Sequence, residues 1–126
     1  MAKSSKLVVA KKGRVFLVRR RRDKLWMFPG GRRHAGESER KCLFREIGER
    51  LPKLKLGSVK LWEEVKGRNR QSRKRMSAAI FLTKRVSGPL KIGDKRELDK
   101  AAWRKPQGLR LTPTSRYICD KLFPVG

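Results

Sequence analysis

The segment from Leu25 to Lys53 restricts the fold of this chain more than any other, because a glycine turn is followed closely by a helix that carries carboxylates. Its sequence is LWMFPGGRRHAGESERKCLFREIGERLPK. Gly30 and Gly31 permit backbone angles and a close approach that other residues resist. We therefore predict a short strand, a tight turn, a loop and a helix of about four turns that begins near Ser38.

The predicted helix has an acidic face and a separate apolar stripe. Glu46 and Glu49 lie on one face because residues three apart are neighbours on a helix surface. Leu43, Ile47 and Leu51 recur every four residues on another side, which we expect to be buried. Two carboxylates beside a glycine turn suit a hard divalent cation that keeps water for a phosphate substrate. Taken alone, these carboxylates also fit an ordinary exposed helix with charge pairs.

The spacing within this segment resembles the Nudix box. Five residues separate Gly31 from Glu37, and seven separate Glu37 from Arg45. The box then reads R-E-aliphatic-x-E-E-x-G-aliphatic, and this chain matches it at Arg45, Glu46, Ile47 and Glu49. It differs where Arg50 replaces the last glutamate, Pro52 the glycine and Lys53 the aliphatic residue. The resemblance implies an α/β protein with the Nudix fold, an α/β/α sandwich around a central mixed, largely antiparallel β-sheet.

The resemblance also implies an activity and a set of site residues. Nudix proteins generally hydrolyse a diphosphate linked to another moiety, commonly a nucleoside, with divalent metal ions. The segment ELDKAAW, from Glu97 to Trp103, is similar to one that follows the box in many Nudix proteins and supplies a further glutamate. By resemblance, Mg²⁺ or Mn²⁺ would be held by Gly31, Glu46, Glu49 and Glu97. The expected catalytic residues are Glu46, Glu49, Glu97 and Arg45, where Arg45 braces the helix carboxylates. Glu37 is expected either to lie behind the metal ligands or to have a structural role.

Arg50 is the position at which the chain departs most from this chemistry. A guanidinium in place of a carboxylate removes an oxygen ligand and reverses the local charge. Arg50 can pair with Glu46, or it can bind a substrate phosphate through two hydrogen bonds. We expect lower metal affinity, altered metal stoichiometry or lost catalysis. The expected substrate-binding residues are Arg50, Trp26, Arg32 and His34; burial in the core is the alternative for Trp26, and a plain exposed loop position is the alternative for His34.

The chain is strongly basic, with 36 Lys and Arg against 11 Asp and Glu and a formal net charge of +25. Such a charge attracts polyanions, so RNA and DNA are candidate partners, although a generally solvated basic surface explains the charge equally well. Two basic runs stand out. Arg19 to Arg22 leaves a strand as either a solvated turn or a rim that faces phosphate. Lys66 to Arg75 is predicted to be a flexible loop between two strands.

The remaining sequence is consistent with one domain covering residues 1–126. Cys42 and Cys119 lack the spacing of a zinc site and are expected to be reduced, partly buried thiols in helices. No apolar run approaches the length of a membrane span, and we expect a cytoplasmic monomer or homodimer.

The predicted strands are Lys6–Ala10, Arg14–Arg20, Ser58–Val65 and Met76–Val86, and a second helix is predicted to start at Thr112 and Pro113.

Two function classes follow from these features. The first is a metal-dependent hydrolase that cleaves a diphosphate linkage in a nucleotide-like substrate or at an RNA end. The second is a catalytically weak or inactive module that binds nucleic acid or nucleotides through its basic surface, and it is favoured by Arg50 and the net charge. Glu63 and Glu64 either reach toward the site or face solvent from their strand.

Overall fold

The structure is a computed structural model that describes residues 1–124. Its elements form two sheets of four strands, one small two-stranded sheet and two helices. In chain order they are β1 (Ser4–Val8), β2 (Ala10–Lys11), β3 (Arg14–Arg20), β4 (Trp26–Met27), β5 (Gly30–Arg32), α1 (Glu39–Arg50), β6 (Lys55–Leu56), β7 (Val59–Arg68), β8 (Arg75–Thr83), β9 (Val86–Ser87), β10 (Leu98–Arg104) and α2 (Pro113–Leu122).

The strands pair in a mixed pattern. One sheet has the order β5-β1-β8-β7, and a second has the order β10-β3-β2 with β4 also paired to β3. β1 and β8 run parallel, whereas the other pairings between strands are antiparallel. The predicted mixed, largely antiparallel sheet is therefore confirmed.

The sheet that contains β1 and β8 is covered on both faces, because neighbouring residues of its central strands belong to different core clusters. Leu7 of β1 packs in one cluster with Leu43 and Ile47 of α1. The next residue, Val8, packs in the other cluster with Ile118 of α2. Successive side chains of a strand point to opposite faces. The helices α1 and α2 thus lie on opposite sides, which confirms the predicted α/β/α sandwich.

The helix ends follow local sequence signals. The Oγ of Ser38 accepts a 3.1 Å hydrogen bond from the backbone N–H of Lys41, which caps the start of α1. Pro52 follows the last residues of α1 and cannot continue the helix. Pro113 is the first residue of α2, as predicted. The hydroxyl of Thr112 contacts the Oγ of Ser115 and makes no side-chain cap of the backbone.

The basic run from Lys66 to Arg75 was predicted as a loop, and this was wrong at both ends. β7 continues to Arg68 and β8 begins at Arg75, so only residues 69–74 connect the strands. Backbone hydrogen bonds between strands do not require apolar side chains. At the end of a sheet, where side chains reach solvent, a basic segment can therefore form a strand. The Asn69 side chain also orders the turn by accepting hydrogen bonds from the N–H groups of Gln71 and Ser72.

Two other boundaries differ from the sequence predictions. The strand predicted to run to Val86 ends at Thr83, and Val86 pairs instead with Leu56 in the small sheet. The first strand ends at Val8, and Ala10 belongs to the separate short strand β2. Cys42 and Cys119 lie in the two helices as free cysteines, as predicted, but both are almost completely buried where partial burial was expected. Within residues 1–124, neither helix has the length and apolar character needed to cross a membrane.

Candidate active site

The glycine turn lets two elements approach each other closely. Gly30 has a φ of +146° and pairs with Lys6, and a side chain at Gly30 would collide with the backbone carbonyl of Ser5. A Cβ at Gly31 would overlap the carboxylate of Glu46. The absence of a side chain at Gly31 therefore allows Glu46 of α1 to lie directly against the turn.

Arg45 is the centre of the hydrogen-bond network around α1. Its Nε donates to Glu37 Oε2 at 2.7 Å and its Nη2 donates to the backbone carbonyl of Arg32 at 2.8 Å. Its Nη1 donates to Glu46 Oε1 at 2.9 Å and to Glu49 Oε2 at 3.4 Å. Arg45 thus connects the turn, the loop and two helix carboxylates.

The same network stabilises the ionised form of Glu37. The hydrogen bond from Arg45 and a second one from the backbone N–H of His34 lower the pKa of Glu37 to about 2. In return, the hydrogen bond to Glu37 raises the pKa of Arg45 above its usual value. Glu37 is therefore ionised at neutral pH and anchors the loop that precedes α1.

Arg50 points into the site and lies between two of the predicted carboxylates. Its Nε donates to Glu46 Oε2 at 2.7 Å, and its Nη2 lies 2.8 Å from Glu97 Oε2. The Glu46 side chain is buried, with only 8% of its surface exposed. Because Arg45 binds the other oxygen of Glu46, both oxygens of this carboxylate accept hydrogen bonds from arginine.

The donor atoms have the chemistry that Mg²⁺ or Mn²⁺ requires, but their arrangement is not that of a formed metal site. Carboxylate and carbonyl oxygens are the ligands these ions prefer. Glu49 and Glu97 are 59% and 55% exposed, although each also contacts an arginine, Glu49 with Arg45 and Glu97 with Arg50. Glu46 is occupied by the two arginines. Within residues 1–124, no three His, Cys, Asp or Glu side chains are gathered closely enough to hold a metal ion.

The expected substrate-binding residues lie in different environments. Arg32 is exposed at the end of β5 and lines two adjoining clefts next to the site. Trp26 is buried in the core, with the guanidinium of Arg104 4.9 Å from its ring centroid, which agrees with the core alternative. His34 is exposed in the loop and its backbone N–H binds Glu37. Glu63 binds Tyr117 and Lys121 of α2 and so faces away from α1.

Two adjoining clefts open beside the glycine turn. The larger has a volume of about 760 Å³ and the smaller about 300 Å³. Both are lined by Gly31 and Arg32 together with Lys6, Arg20 and Met27. Arg50 and Glu97 line the smaller cleft, which joins the carboxylate site to the larger one.

Lys6 lines both clefts, a position that the sequence analysis did not identify because it placed Lys6 only at the start of a strand. Burial, assisted by the nearby positive charge of Arg50, lowers the pKa of Lys6 to about 8. Its Nζ lies 3.9 Å from the Sδ of Met27, another residue that lines both clefts.

Comparison with known families decides the classification. The model of the NUDIX domain family matches residues 5–122, nearly the whole chain. The chain belongs to the Nudix family. No protein in a comparison with curated sequences matches this Nudix chain significantly.

Solved structures support the Nudix fold. A MutT NUDIX hydrolase from Burkholderia pseudomallei is 22% identical with a TM-score of 0.78, and the match covers 96% of this chain and 97% of that one. The NUDIX domain of Shewanella oneidensis NrtR, complexed with ADP ribose, is 16% identical with a TM-score of 0.73, covering 94% of this chain and 82% of that one. A bifunctional NMN adenylyltransferase/ADP ribose pyrophosphatase from Francisella tularensis, complexed with AMP and a Mn ion, is 16% identical with a TM-score of 0.68, covering 94% of this chain and 40% of that one. At these identities the likeness establishes the shared fold.

Proposed function

We propose that this Nudix protein hydrolyses a diphosphate linkage in a nucleotide-like substrate and uses Mg²⁺ or Mn²⁺. The observation that carries this proposal is the network in which Arg45 holds Glu37, Glu46 and Glu49 beside the Gly31 turn, at the edge of a basic cleft. The ADP ribose bound by the Shewanella protein and the AMP and Mn ion bound by the Francisella protein support the choice of substrate class and metal.

The predicted site residues other than Trp26 and His34 have a role in this proposal. Glu49 and Glu97, with Glu46 and the Gly31 carbonyl, would hold the divalent cation. The cation would neutralise phosphate oxygens and lower the pKa of the attacking water. Arg45 orients the helix carboxylates through its hydrogen bonds, and Glu97 is a further ligand or a base. Arg32 and Arg50 line the smaller cleft, where guanidinium groups bind phosphate oxygens well.

Arg50 is expected to weaken metal binding. Its contacts with Glu46 and Glu97 place a positive charge between two of the proposed ligands. A cation can use Glu46 only when the Arg50 guanidinium withdraws from that carboxylate. We therefore propose weak metal affinity, and a substrate phosphate that attracts Arg50 away from Glu46 would favour metal binding.

A second candidate function is a module that binds nucleotides or nucleic acid without turnover. The specific observation that favours it is the double contact of Arg50, since a guanidinium that permanently neutralises Glu46 and Glu97 would exclude the metal. The net charge of +25 would then supply the affinity for a polyanion. Binding of this kind falls steeply as the salt concentration rises, because phosphate contacts release counterions.

The test is hydrolysis of a panel of diphosphate-linked nucleotides and a 5′-phosphorylated RNA, with Mg²⁺, with Mn²⁺ and with EDTA. The variants are Glu46→Gln and Arg50→Glu, and the matched control is Lys41→Glu, which makes the same charge change at an exposed position of α1. Turnover by the wild type that EDTA and Glu46→Gln abolish supports the hydrolase. Turnover by Arg50→Glu alone would instead identify the native chain as the binding module.

A further inference from the structure

A groove that is separate from the candidate active site is lined in part by Trp103 of β10. Two hollows of about 360 and 480 Å³ adjoin there and share Lys11, Val86, Ser87 and Trp103 among their lining residues. We call them together the Trp103 groove. None of its lining residues lines the two clefts beside the glycine turn. Trp103 follows Glu97 by six residues of largely extended chain, which corresponds to roughly 20 Å.

One part of the groove is formed by the tight turn between β2 and β3. Lys12 and Gly13 have φ angles of +51° and +75°, and a turn with positive φ at both central residues matches the twist of the strands that it joins. The turn is therefore short, and it presents Lys11, Lys12 and Arg14 to solvent at the groove. Another part of the groove is formed by the small sheet of β6 and β9.

The lining of the Trp103 groove is basic and carries no counter-charge. Its positively charged residues are Lys11, Lys12, Arg14, Lys55, Lys84 and Arg85, and no acidic residue lines either hollow. All of these cations are exposed, and none forms an ion pair within residues 1–124. By contrast, the hollow at the turn between β7 and β8 is lined by Asp120, and its Lys121 pairs with Glu63. Clustered cations without a counter-charge raise the local concentration of a polyanion.

Trp103 adds an aromatic surface to this positive charge. The buried Phe16 packs against it, with ring centroids 5.7 Å apart and an interplanar angle of 49°. The two residues are also direct partners in the pairing of β10 with β3. Trp103 itself is only partly buried, so part of the indole is open to the groove. Aromatic side chains flanked by cations are typical of sites for single-stranded nucleic acid, because bases stack on the rings while phosphates contact the charges.

We propose that the Trp103 groove binds single-stranded nucleic acid, with a base against Trp103 and backbone phosphates against the surrounding lysines and arginines. The aromatic residue favours this occupant over an acidic peptide, which the charge alone would attract. It also favours a single strand over a duplex, whose bases are stacked inside the helix. Because the groove is separate from the carboxylate site, this inference goes beyond the proposed hydrolysis and does not depend on it. It gives a definite location to the nucleic-acid binding of the second candidate function.

The first experiment measures the binding of a short labelled single-stranded RNA by fluorescence anisotropy, in EDTA so that metal-dependent hydrolysis is absent. The groove variant carries Lys11→Gln and Lys55→Gln. The matched control carries Lys41→Gln and Lys60→Gln, which remove the same charge from exposed positions outside the groove. Each phosphate contact contributes about 0.7 to the slope of log affinity against log salt concentration for a single strand. We expect the groove variant to lower this slope by about 1.4 and the control to keep it near that of the wild type.

The second experiment tests stacking on Trp103. The same RNA is compared with an abasic strand of equal length, which keeps the phosphates and lacks the bases. We expect the wild type to bind the RNA at least about fivefold more tightly than the abasic strand, the lower end of the effect of one stacked base. Trp103→Leu should remove this preference, whereas Trp103→Phe, which keeps an aromatic ring, and the control Trp62→Leu should retain it. Circular dichroism checks folding, and Trp103→Phe with the groove variant keeps the test decisive if Trp103→Leu does not fold.

Several results would overturn the assignment of the groove. One is an equal loss of RNA affinity in the groove variant and its matched control, which would attribute binding to net charge. Another is equal affinity of the wild type for the RNA and the abasic strand. An RNA duplex or a polyglutamate peptide that binds more tightly than the single strand would assign the groove to a different partner.

Hydrolysis measured on the same proteins separates this inference from the proposed function. The groove variant should hydrolyse diphosphate-linked nucleotides as fast as the wild type while it binds RNA more weakly. RNA binding that depends on Trp103, without hydrolysis by any of the proteins, would support the groove and refute the hydrolase. Hydrolysis by the wild type without RNA binding that depends on Trp103 would leave the hydrolase in place and refute the groove.

Discussion

The Nη2 of Arg50 lies 2.8 Å from Glu97 Oε2, and this contact joins the last residue of α1 to the residue that precedes β10. The same guanidinium binds Glu46 at 2.7 Å. An arginine thus bridges two carboxylates that the Nudix resemblance assigns to a metal ion. If these carboxylates hold a metal ion as proposed, the Arg50 guanidinium would compete with it for the same oxygens.

Replacing Arg50 is therefore expected to strengthen metal binding. Arg50→Glu removes the competing charge and adds an oxygen donor beside Glu46 and Glu97. We expect the affinity for Mn²⁺ to rise at least about tenfold, since one additional charged contact is worth roughly 1.5–3 kcal/mol. Calorimetric titration with Mn²⁺ measures this change. Lys41→Glu serves as the control, and an equal gain in that variant would attribute the effect to net charge.

Arg45 is expected to be important for stability as well as for the site. Arg45→Met removes the hydrogen bonds to Glu37 and Glu46 and leaves the buried Glu46 with Arg50 as its remaining charged partner. We expect the free energy of unfolding to fall by about 2 kcal/mol, the usual cost of leaving such groups unpaired. Urea unfolding measures the loss. Arg14→Met, at an exposed position, should change stability by less than about 0.5 kcal/mol.

Alanine in place of Gly31 is expected to lower activity, whereas alanine in place of Gly48 is expected to raise stability. Gly31→Ala would push the Glu46 carboxylate away from the turn, so we expect kcat to fall at least about tenfold, the equivalent of roughly 1.4 kcal/mol. Gly48 is exposed in α1 and has open space around it, so Gly48→Ala should stabilise the protein by about 1 kcal/mol. Steady-state kinetics and thermal unfolding measure the two effects. Full activity in Gly31→Ala would remove Glu46 from the proposed mechanism.

Stability should fall in acid partly because of Glu37. Its pKa is lowered from the ordinary 4.5 to about 2 by Arg45 and by the His34 N–H. A carboxylate with a lowered pKa stabilises the folded state fully above its unfolded pKa, and this contribution is lost as the pH falls from about 4.5 to about 2. Urea unfolding at about pH 7 and about pH 3 should therefore show a smaller difference for Glu37→Gln than for wild type.

The remaining acid sensitivity of Glu37→Gln has other sources. Asp23 has a pKa lowered to about 2, chiefly by its hydrogen bond with Arg20. The Arg19 guanidinium likewise lowers the pKa of Asp99. The contribution of each carboxylate to stability is lost as the pH falls below 3.8, the ordinary pKa of aspartate. A slope in Glu37→Gln identical to that of wild type would mean that the Glu37 contact contributes nothing to acid sensitivity.

The amino-acid sequence by itself determined the family, the first helix and the apolar stripe of that helix. Gly31, Glu37 and Arg45 act within one short segment, and the positions of Leu43 and Ile47 on a helix follow from its periodicity. The cap at Ser38 and the stop at Pro52 are equally local. Interactions of this kind depend on neighbours in the chain, so the pattern of residue types is sufficient to predict them.

The tertiary structure alone decided the state of the candidate site. The sequence allowed Arg50 either to pair with Glu46 or to bind phosphate, and the folded chain pairs it with both Glu46 and the distant Glu97. The position of Lys6 beneath two clefts follows from its pairing with Gly30 and from α2 on the same sheet face. Such contacts join residues far apart in the chain, and they form because packing brings the sheet and the two helices together, which no local pattern specifies.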